Sequence, residues 1–283
     1  DIASANDRGP AGIITEDPTC QSWTPLFNTL SDQQQKGWDR RDPSIPASAW
    51  NPEQRHQYEG VRSAISTAVA QIPMLAKLTP HRVMRELYEQ TVAYWRAYSD
   101  AIPDYKATDN HLVLVGNSLA TAVTWVCAAI TYGSAAARAP LVAKGAAPLT
   151  FAPVGDPEKP QRFMASVCPA CREWGAMLSA FSASTDAWAA GSDPNLSAAQ
   201  WSPEQQSLFT SVVPVMQKNA DDVDQLGIQS NNPIFRDFAA LAAQYRRAYI
   251  QAIPSYMPSD NYLESSSSRL MSALDEACKA AGA

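Results

Sequence analysis

The feature that most constrains this chain is an internal repeat: the sequence matches itself, without a gap, when position 20 is set against position 171. The matched positions include cysteines near both ends of each copy and tryptophans between them. The pairs are Cys20 and Cys171, Trp23 and Trp174, Trp50 and Trp201, and Cys127 and Cys278. About a quarter of roughly 108 aligned positions are identical, which chance does not sustain over one ungapped register. The chain therefore contains two homologous units.

The composition changes outside the two copies. Residues 133–167 are rich in alanine and proline and show almost no hydrophobic periodicity, which is typical of an extended, proline-stiffened linker. Residues 1–19 are polar and contain glycine and proline, so we expect a flexible N-terminal segment. We predict that repeat 1 covers residues 20–132 and that repeat 2 covers residues 168–283.

Each copy carries the pattern of four amphipathic helices. Segments 51–54 (Asn-Pro-Glu-Gln) and 202–205 (Ser-Pro-Glu-Gln) both offer an N-cap side chain, a proline in the first turn and a glutamine that can complete a capping box. Apolar residues then recur at helical spacing, and strand signals are sparse. The predicted fold is all-α: a tandem duplication of a disulfide-closed four-helix bundle.

One segment of repeat 1 is apolar enough to suggest a membrane span. Residues 112–137 contain no charged side chain over a length that could cross a bilayer. The matching segment of repeat 2 carries Glu264, Arg269 and further charges, and homologous helices should occupy the same environment. We therefore expect a buried bundle helix, with a membrane span as the alternative.

The cysteines occupy places where a four-helix bundle can join them. In an up-down-up-down bundle, the start of the first helix and the end of the fourth lie at the same end. These places are held by Cys20 and Cys127 in repeat 1, and by Cys171 and Cys278 in repeat 2. The spacing thus predicts one disulfide in each repeat and an oxidising compartment, which is the periplasm, the cell envelope or the exterior. Buried free thiols are the alternative.

Cys168 has no counterpart in repeat 1. With Cys171 it forms a CxxC motif, the spacing of a dithiol redox site. Cys171 already matches Cys20, however, and the surrounding pattern is not βαβ, which disfavours redox catalysis. Three alternatives stay open: Cys168 is an unpaired thiol, pairs between chains, or competes with Cys171 for Cys278.

The best-matched stretch of the repeat is Tyr-x-Arg-Ala-Tyr-x-x-Ala-Ile-Pro-x-Tyr, at the end of the third helix. Its tyrosines either fill the bundle interior, as aromatic residues at helical spacing usually do, or form a docking surface with the arginines for a glycan, a lipid headgroup or a protein. Trp95 and Trp125 lack tryptophan counterparts and could line a site private to repeat 1. The candidate partner- or ligand-binding residues are Tyr94, Trp95, Arg96, Tyr98, Tyr105, Trp125, Tyr245, Arg247, Tyr249 and Tyr256.

Charge is divided unevenly between the repeats. The chain has 22 basic and 28 acidic residues, a net charge of −6 that argues against a nucleic-acid-binding protein. Residues 20–127 carry ten of each sign, whereas residues 171–278 carry six basic and twelve acidic side chains, so we expect a cationic partner at repeat 2. With three histidines and no nucleotide-binding or metal-ligand motif, we expect no metal, no cofactor and no catalytic site.

Arginine outnumbers lysine by fifteen to seven, alanine and proline are abundant, and the N-terminal segment contains Gly9-Pro10-Ala11-Gly12 and Asp17-Pro18-Thr19-Cys20. Over most of the chain this composition resembles that of extracytoplasmic, membrane-anchored actinobacterial proteins, mycobacterial ones in particular. The resemblance implies membrane association through a segment absent from residues 1–283.

The function that we predict is a binding or scaffold module of the cell envelope without catalytic activity. Its partner would be an envelope protein or a lipid or glycan ligand. The alternative is a carrier or sensor that holds a hydrophobic or glycolipid ligand between bundle helices.

Overall fold

The structure, a computed structural model, describes all 283 residues, and its regular elements are helices, without a β-strand. The prediction of an all-α protein is confirmed. The helices are α1 (Cys20–Gln34), α2 (Pro52–Val69), α3 (Ile72–Leu78), α4 (Arg82–Ala101), α5 (Asn110–Thr131), α6 (Ser134–Arg138), α7 (Cys171–Gly191), α8 (Pro203–Gln229), α9 (Pro233–Ala252) and α10 (Asn261–Ala280). Single turns of 3₁₀ helix lie in several of the connections.

Most helices of the two repeats correspond at the spacing of the sequence match. Helices α1 and α7 begin at matching cysteines, α4 and α9 end at matching alanines, and α5 and α10 begin at matching asparagines. Repeat 1 has α2 and α3 where repeat 2 has the single helix α8. Pro73 lacks an N–H, and its ring would clash with the carbonyl of Val69, where α2 ends. The matching residue of α8 is Asp224, which imposes no such break.

The two predicted capping boxes differ. Asn51 accepts a hydrogen bond from the Gln54 N–H (2.8 Å), and the Gln54 side chain accepts one from the Asn51 N–H (2.9 Å). Ser202 accepts a bond from the Gln205 N–H (3.2 Å), but the Gln205 side chain bonds to the last residues of α7 and the chain that follows them. The capping box is therefore complete only at α2, because Gln205 instead ties the end of α7 to the start of α8.

The repeats pack against each other mainly through one helix of each. The most extensive helix–helix contact joins α5 to α10, and α4 also touches α9. Buried apolar side chains of both repeats form one continuous cluster of 65 residues. Helix α5, which by length and composition could cross a membrane, has most of its apolar stretch buried in this packing.

The segments outside the repeats lie along the boundary between them. In the N-terminal segment, the Ile14 N–H donates to the Tyr245 hydroxyl (3.3 Å). Between the repeats, the Phe163 ring packs against Tyr94 on α4 and Phe238 on α9, with centroid distances of 5.8 and 5.7 Å. Residues 1–19 and 133–167 therefore contribute contacts to both halves of the molecule.

Candidate functional site

The tyrosines of the repeated block lie inside the protein. Each of the six is at most 1% exposed: Tyr94, Tyr98, Tyr105, Tyr245, Tyr249 and Tyr256. Tyr105 donates to the Pro43 carbonyl (2.7 Å), and Tyr256 donates to the Pro194 carbonyl (2.9 Å), so the same bond fixes the end of each bundle. Burial raises the pKa of all six phenols, which keeps them neutral.

The two arginines of the block match in sequence but have different partners. Arg96 donates to the Glu158 carbonyl (2.6 Å), in the segment between the repeats. Arg247 forms ion pairs with Asp221 (2.9 Å) and Asp224 (2.6 Å), both on α8. Each arginine thus closes a contact within the chain.

Trp95 occupies a position where the repeats differ most in chemistry. Its indole Nε1 donates to the Asn117 side chain (3.0 Å) on α5. The matching residue on α9 is Arg246, which is 0% exposed and lies 3.1 Å from Glu264 on α10. The Arg246 guanidinium also lies over the ring of Phe181, 4.8 Å from its centroid. Repeat 1 therefore contains a neutral hydrogen bond where repeat 2 contains an ion pair between a fully buried arginine and a glutamate that is 16% exposed.

Among the aromatic residues that we predicted to bind a ligand or partner, Trp125 is the one that is partly exposed. Its ring stacks on Tyr262 of α10 at a centroid distance of 5.7 Å, and Tyr262 stacks in turn on Tyr132 at 5.3 Å. Tyr132 is 63% exposed. The stack lies at the contact between the repeats rather than in a site private to repeat 1.

The cysteines form the two predicted bonds, Cys20–Cys127 and Cys171–Cys278, each between residues 107 positions apart. Cys168 is free and partly exposed. Its sulfur lies 3.3 Å from the Cys171 sulfur. Burial raises the pKa of the Cys168 thiol, while nearby backbone N–H groups oppose that shift.

Sequence reasoning missed a buried charge cluster between the repeats. Arg82 donates from Nε and Nη2 to Asp237 (2.8 and 3.0 Å), and both side chains are 3% exposed. Glu86 matches Asp237 in the repeat, and burial followed by the neighbouring Asp237 raises its pKa well above the usual range. The available signal was a pair of matched acids at positions 86 and 237, each within a predicted helix of its repeat.

A groove of about 590 Å³ runs along repeat 2 between α7 and α8. Its lining includes Met177, Phe181 and Pro214, with small residues between them. Asn219 also lies in the lining; it is 3% exposed, and its Oδ1 accepts no hydrogen bond. Such an unpaired buried acceptor costs about 1–3 kcal/mol, so the groove is not optimised for packing alone.

The matching interface of repeat 1 is filled differently. Leu30 of α1 and Ala68 of α2, which correspond to Phe181 and Asn219, are 2% and 4% exposed. Phe181 is only partly buried, because the larger ring reaches the groove rather than the core. These positions match in the sequence repeat. Whether the interface between the two helices is filled depends on how the side chains fit together, which a sequence match does not show.

One end of the groove is acidic. A second depression, lined by Glu173, continues from it and shares Met177 and Asp222. Lys218 on the adjoining turn of α8 pairs with Asp222 at the surface. The groove therefore has an apolar middle and a carboxylate-bearing end.

Potential metal ligands gather in one place. The only group of three or more such side chains is Cys168, Cys171 and Cys278, whose sulfurs all lie within 4.8 Å of one another. Two of these sulfurs are joined in a disulfide, which leaves one thiol to bind a metal. Among the histidines, His111 pairs with Glu276 across the α5–α10 contact (2.6 Å).

The fold and these features define an all-helical, disulfide-bonded protein with an apolar groove in its second repeat. The chain belongs to the family of mycobacterial ESX-1 associated proteins, whose model matches residues 2–282. An uncharacterized protein of Mycolicibacterium smegmatis (strain MKD8) is 48% identical over 281 residues, which cover 99% of this chain and 74% of the relative. No solved structure is significantly similar to the chain. The predicted resemblance to mycobacterial proteins is confirmed.

Proposed function

We propose that the protein is a non-catalytic binding or scaffold module of the mycobacterial cell envelope, with a protein partner in the ESX-1 secretion system. The observation that carries the proposal is the acid-ended apolar groove between α7 and α8. The family description supports the association with ESX-1. Membrane anchoring through a segment outside residues 1–283 belongs to the same proposal.

We also propose that the fold arose as a tandem duplication of a disulfide-closed four-helix bundle. Matching helix ends and matching disulfides support this origin. Disulfides that close such long loops persist where thiols are oxidised, which supports a location outside the cytoplasm.

The lining of the groove favours binding over catalysis. It is made of small, apolar and amide side chains with one lysine, one serine and one aspartate, and it contains no histidine or thiol. A nucleophile with a positioned base and a place for a reacting atom is therefore not assembled there.

The chemistry of the groove indicates the partner segment. An apolar channel between two helices accepts a third, amphipathic helix, whose apolar face would contact Met177 and Phe181. Glu173 at the groove end selects a basic residue on that helix, and Asp222 adds to this selection by exchanging its exposed partner Lys218 for the incoming cation. The net charge of repeat 2 would speed the encounter with such a partner.

Site-specific photocrosslinking in living mycobacteria tests this proposal. A crosslinking amino acid is placed at Ala180 or Ser184 in the groove, with the matched positions Thr29 and Gln33 of repeat 1 as controls. We expect the groove positions to crosslink a component or substrate of ESX-1, and Asp222→Lys to weaken that product. Equal crosslinking from the repeat 1 positions, or a product that persists in a strain without ESX-1, would contradict the proposal.

A second candidate, a carrier or sensor of a hydrophobic or glycolipid ligand, is favoured by Asn219. Its unpaired Oδ1 could accept a hydrogen bond from a hydroxyl or amide of a ligand whose chain lies along Phe181. Native mass spectrometry of protein purified from its own host distinguishes the two functions. A co-purified lipid that Asn219→Leu removes supports the carrier, whereas ligand-free protein contradicts it.

A further inference from the structure

Three sulfur atoms meet at the start of α7. The Cys168 thiol lies 3.3 Å from the Cys171 sulfur, and the sulfurs of Cys168, Cys171 and Cys278 all lie within 4.8 Å of one another. Cys168 is partly exposed, whereas Cys171 and Cys278 are 3% and 2% exposed and bonded to each other. A free thiol thus stands at contact distance from a buried disulfide.

The backbone fixes this contact. The Cys171 N–H donates to the Cys168 carbonyl (3.1 Å), which closes a turn around Pro169 at the start of α7. Because proline restricts its own φ angle, the turn holds the two cysteine side chains near each other. The proximity is therefore part of the local fold and does not depend on a mobile loop.

Repeat 1 contains the same turn, but the side chain at its first position makes different contacts. Its sequence is Asp17-Pro18-Thr19-Cys20, and the Cys20 N–H again donates to the carbonyl three residues earlier (3.4 Å). The Asp17 carboxylate accepts hydrogen bonds from Thr19 and Thr79. In repeat 2 the matching side chain is the Cys168 thiol, whose sulfur faces the disulfide.

We propose that Cys168 is an internal nucleophile that exchanges with the Cys171–Cys278 disulfide. The Cys168 thiolate attacks the Cys171 sulfur, the Cys171–Cys278 bond breaks, and Cys278 leaves as a thiolate. Cys278 then takes up a proton equivalent to the one that Cys168 lost. One thiol and one disulfide are present before and after the step, so no external oxidant or reductant is needed.

The exchange changes how α7 is held. Within α7 only Cys171, Trp174 and Thr185 are buried, and Trp174 donates to the Met271 carbonyl of α10 (3.1 Å). Before exchange, the disulfide joins α7 to α10; afterwards the new bond joins Cys171 only to Cys168, three residues away. Exchange therefore releases the covalent link between these helices and loosens one wall of the α7–α8 groove.

Native thiol labelling of the full oxidised chain tests the proposal. The protein is incubated with a maleimide for increasing times, quenched in acid, digested without reduction and mapped by mass spectrometry. We expect two singly labelled forms: one labelled at Cys168 with the original disulfide, and one labelled at Cys278 with a Cys168–Cys171 bond. Labelling of Cys168 alone, or of Cys171 with a Cys168–Cys278 bond, would overturn the proposal.

Two controls separate exchange from general unfolding. In Cys168→Ser, whose Cys171–Cys278 bond is first verified by mapping, we expect the labelling of Cys278 to fall to the level of Cys127. Cys127 has no third thiol beside its disulfide and serves as the reference for background labelling of a disulfide-bonded cysteine. If Cys278 is labelled equally in Cys168→Ser and in the unaltered chain, Cys168 is not the nucleophile.

Discussion

Repeats 1 and 2 keep the same aromatic residues at the ends of their bundles but fill the interior with different polar groups. Trp50 and Trp201 stack on the matched tyrosines Tyr105 and Tyr256 with centroid distances of 5.5 and 5.6 Å. Deeper in the bundle, the Trp95 hydrogen bond of repeat 1 gives way to a buried ion pair in repeat 2. The aromatic contacts at the helix ends are therefore common to both repeats, whereas the polar contacts of the interior differ.

The hydrogen bond and the ion pair should respond differently to substitution. Altering one partner of a neutral hydrogen bond leaves an unpaired polar atom, whereas altering one partner of an ion pair shielded from water leaves an uncompensated charge, which costs more. Repeat 2 also has the unpaired Asn219 acceptor and the third thiol. We therefore expect single substitutions at this matched interior position to cost more in repeat 2 than in repeat 1.

The largest expected effect follows from breaking the ion pair of repeat 2. Arg246→Met leaves Glu264 without its cation and should reduce the free energy of unfolding by about 3–5 kcal/mol. The comparison change in repeat 1, Asn117→Ala, removes the acceptor of the Trp95 hydrogen bond and the bonds to Gln34, and it should cost about 1–3 kcal/mol. Urea denaturation followed by circular dichroism measures both.

A variant of repeat 2 that carries the matching residues of repeat 1 tests whether the ion pair causes this loss of stability. The triple variant Arg246→Trp, Glu264→Val and Ser268→Asn installs the residues found at the matching positions of repeat 1. It should recover most of the stability that Arg246→Met loses, because no buried charge remains. A smaller loss for Arg246→Met than for Asn117→Ala would contradict the comparison.

The two disulfides should contribute equally to the free energy of unfolding, although the interiors of the two repeats differ. Replacing both cysteines of either pair by alanine should lower the free energy of unfolding by about 2–4 kcal/mol, because both bonds join residues 107 positions apart. Thermal or urea unfolding of the two double variants checks the equality. A loss confined to one repeat would mean that packing, rather than loop closure, determines the effect.

Glu89 of repeat 1 should make stability depend on pH between 4.5 and 7. Burial raises the pKa of Glu89 from its usual 4.5 to about 7, with Arg85 opposing the shift, and the matching residue in repeat 2 is Ala240. Between pH 4.5 and 7 the folded state binds more protons than the unfolded state, so stability falls as the pH rises. Glu89→Gln should remove about 1–3 kcal/mol of that fall.

Unfolding measured at intervals from pH 4.5 to 7 tests this prediction. The buried Glu86 has a raised pKa and contributes a slope of the same sign, so Glu89→Gln should flatten the profile without levelling it. Glu59→Gln, at an exposed site on α2, is the control. An unchanged slope in Glu89→Gln would refute the assignment.

The smallest effect concerns the groove. Asn219→Ala introduces the residue that repeat 1 has at this position, and it should change stability by less than about 1 kcal/mol, because the gain from removing an unpaired acceptor is offset by the lost packing and the lost bond to the Met177 sulfur. The reverse change, Ala68→Asn, buries an unpaired amide in a filled interface and should cost about 1–2 kcal/mol. Equal effects of the two substitutions would indicate that the interfaces are packed alike.

Features that depend on local pattern could be predicted from the sequence. The helical content, the start of α2 at Pro52 and the pairing of Cys20 with Cys127 follow from capping, periodicity and the register of the repeat. Helical spacing placed Tyr94 and Tyr98 on one face, but spacing alone did not decide whether that face met ligand or core.

Features that depend on contacts between distant segments could not be predicted. Arg82 and Asp237 meet because α4 of one repeat touches α9 of the other, and no local pattern encodes that approach. Phe163 lies between the same helices although its segment has the composition of a linker. The α7–α8 groove likewise arises from how Phe181 and Asn219 fit their neighbours.

The central claim is that the protein folds outside the cytoplasm as two repeats, each closed by its own disulfide. The most direct test is alkylation and peptide mapping of the protein isolated from its mycobacterial host, before and after reduction. The account predicts one alkylated cysteine before reduction, five after it, and the linked peptides Cys20–Cys127 and Cys171–Cys278 in the bulk of the material. Five alkylated cysteines before reduction, or a bond between the repeats, would contradict it.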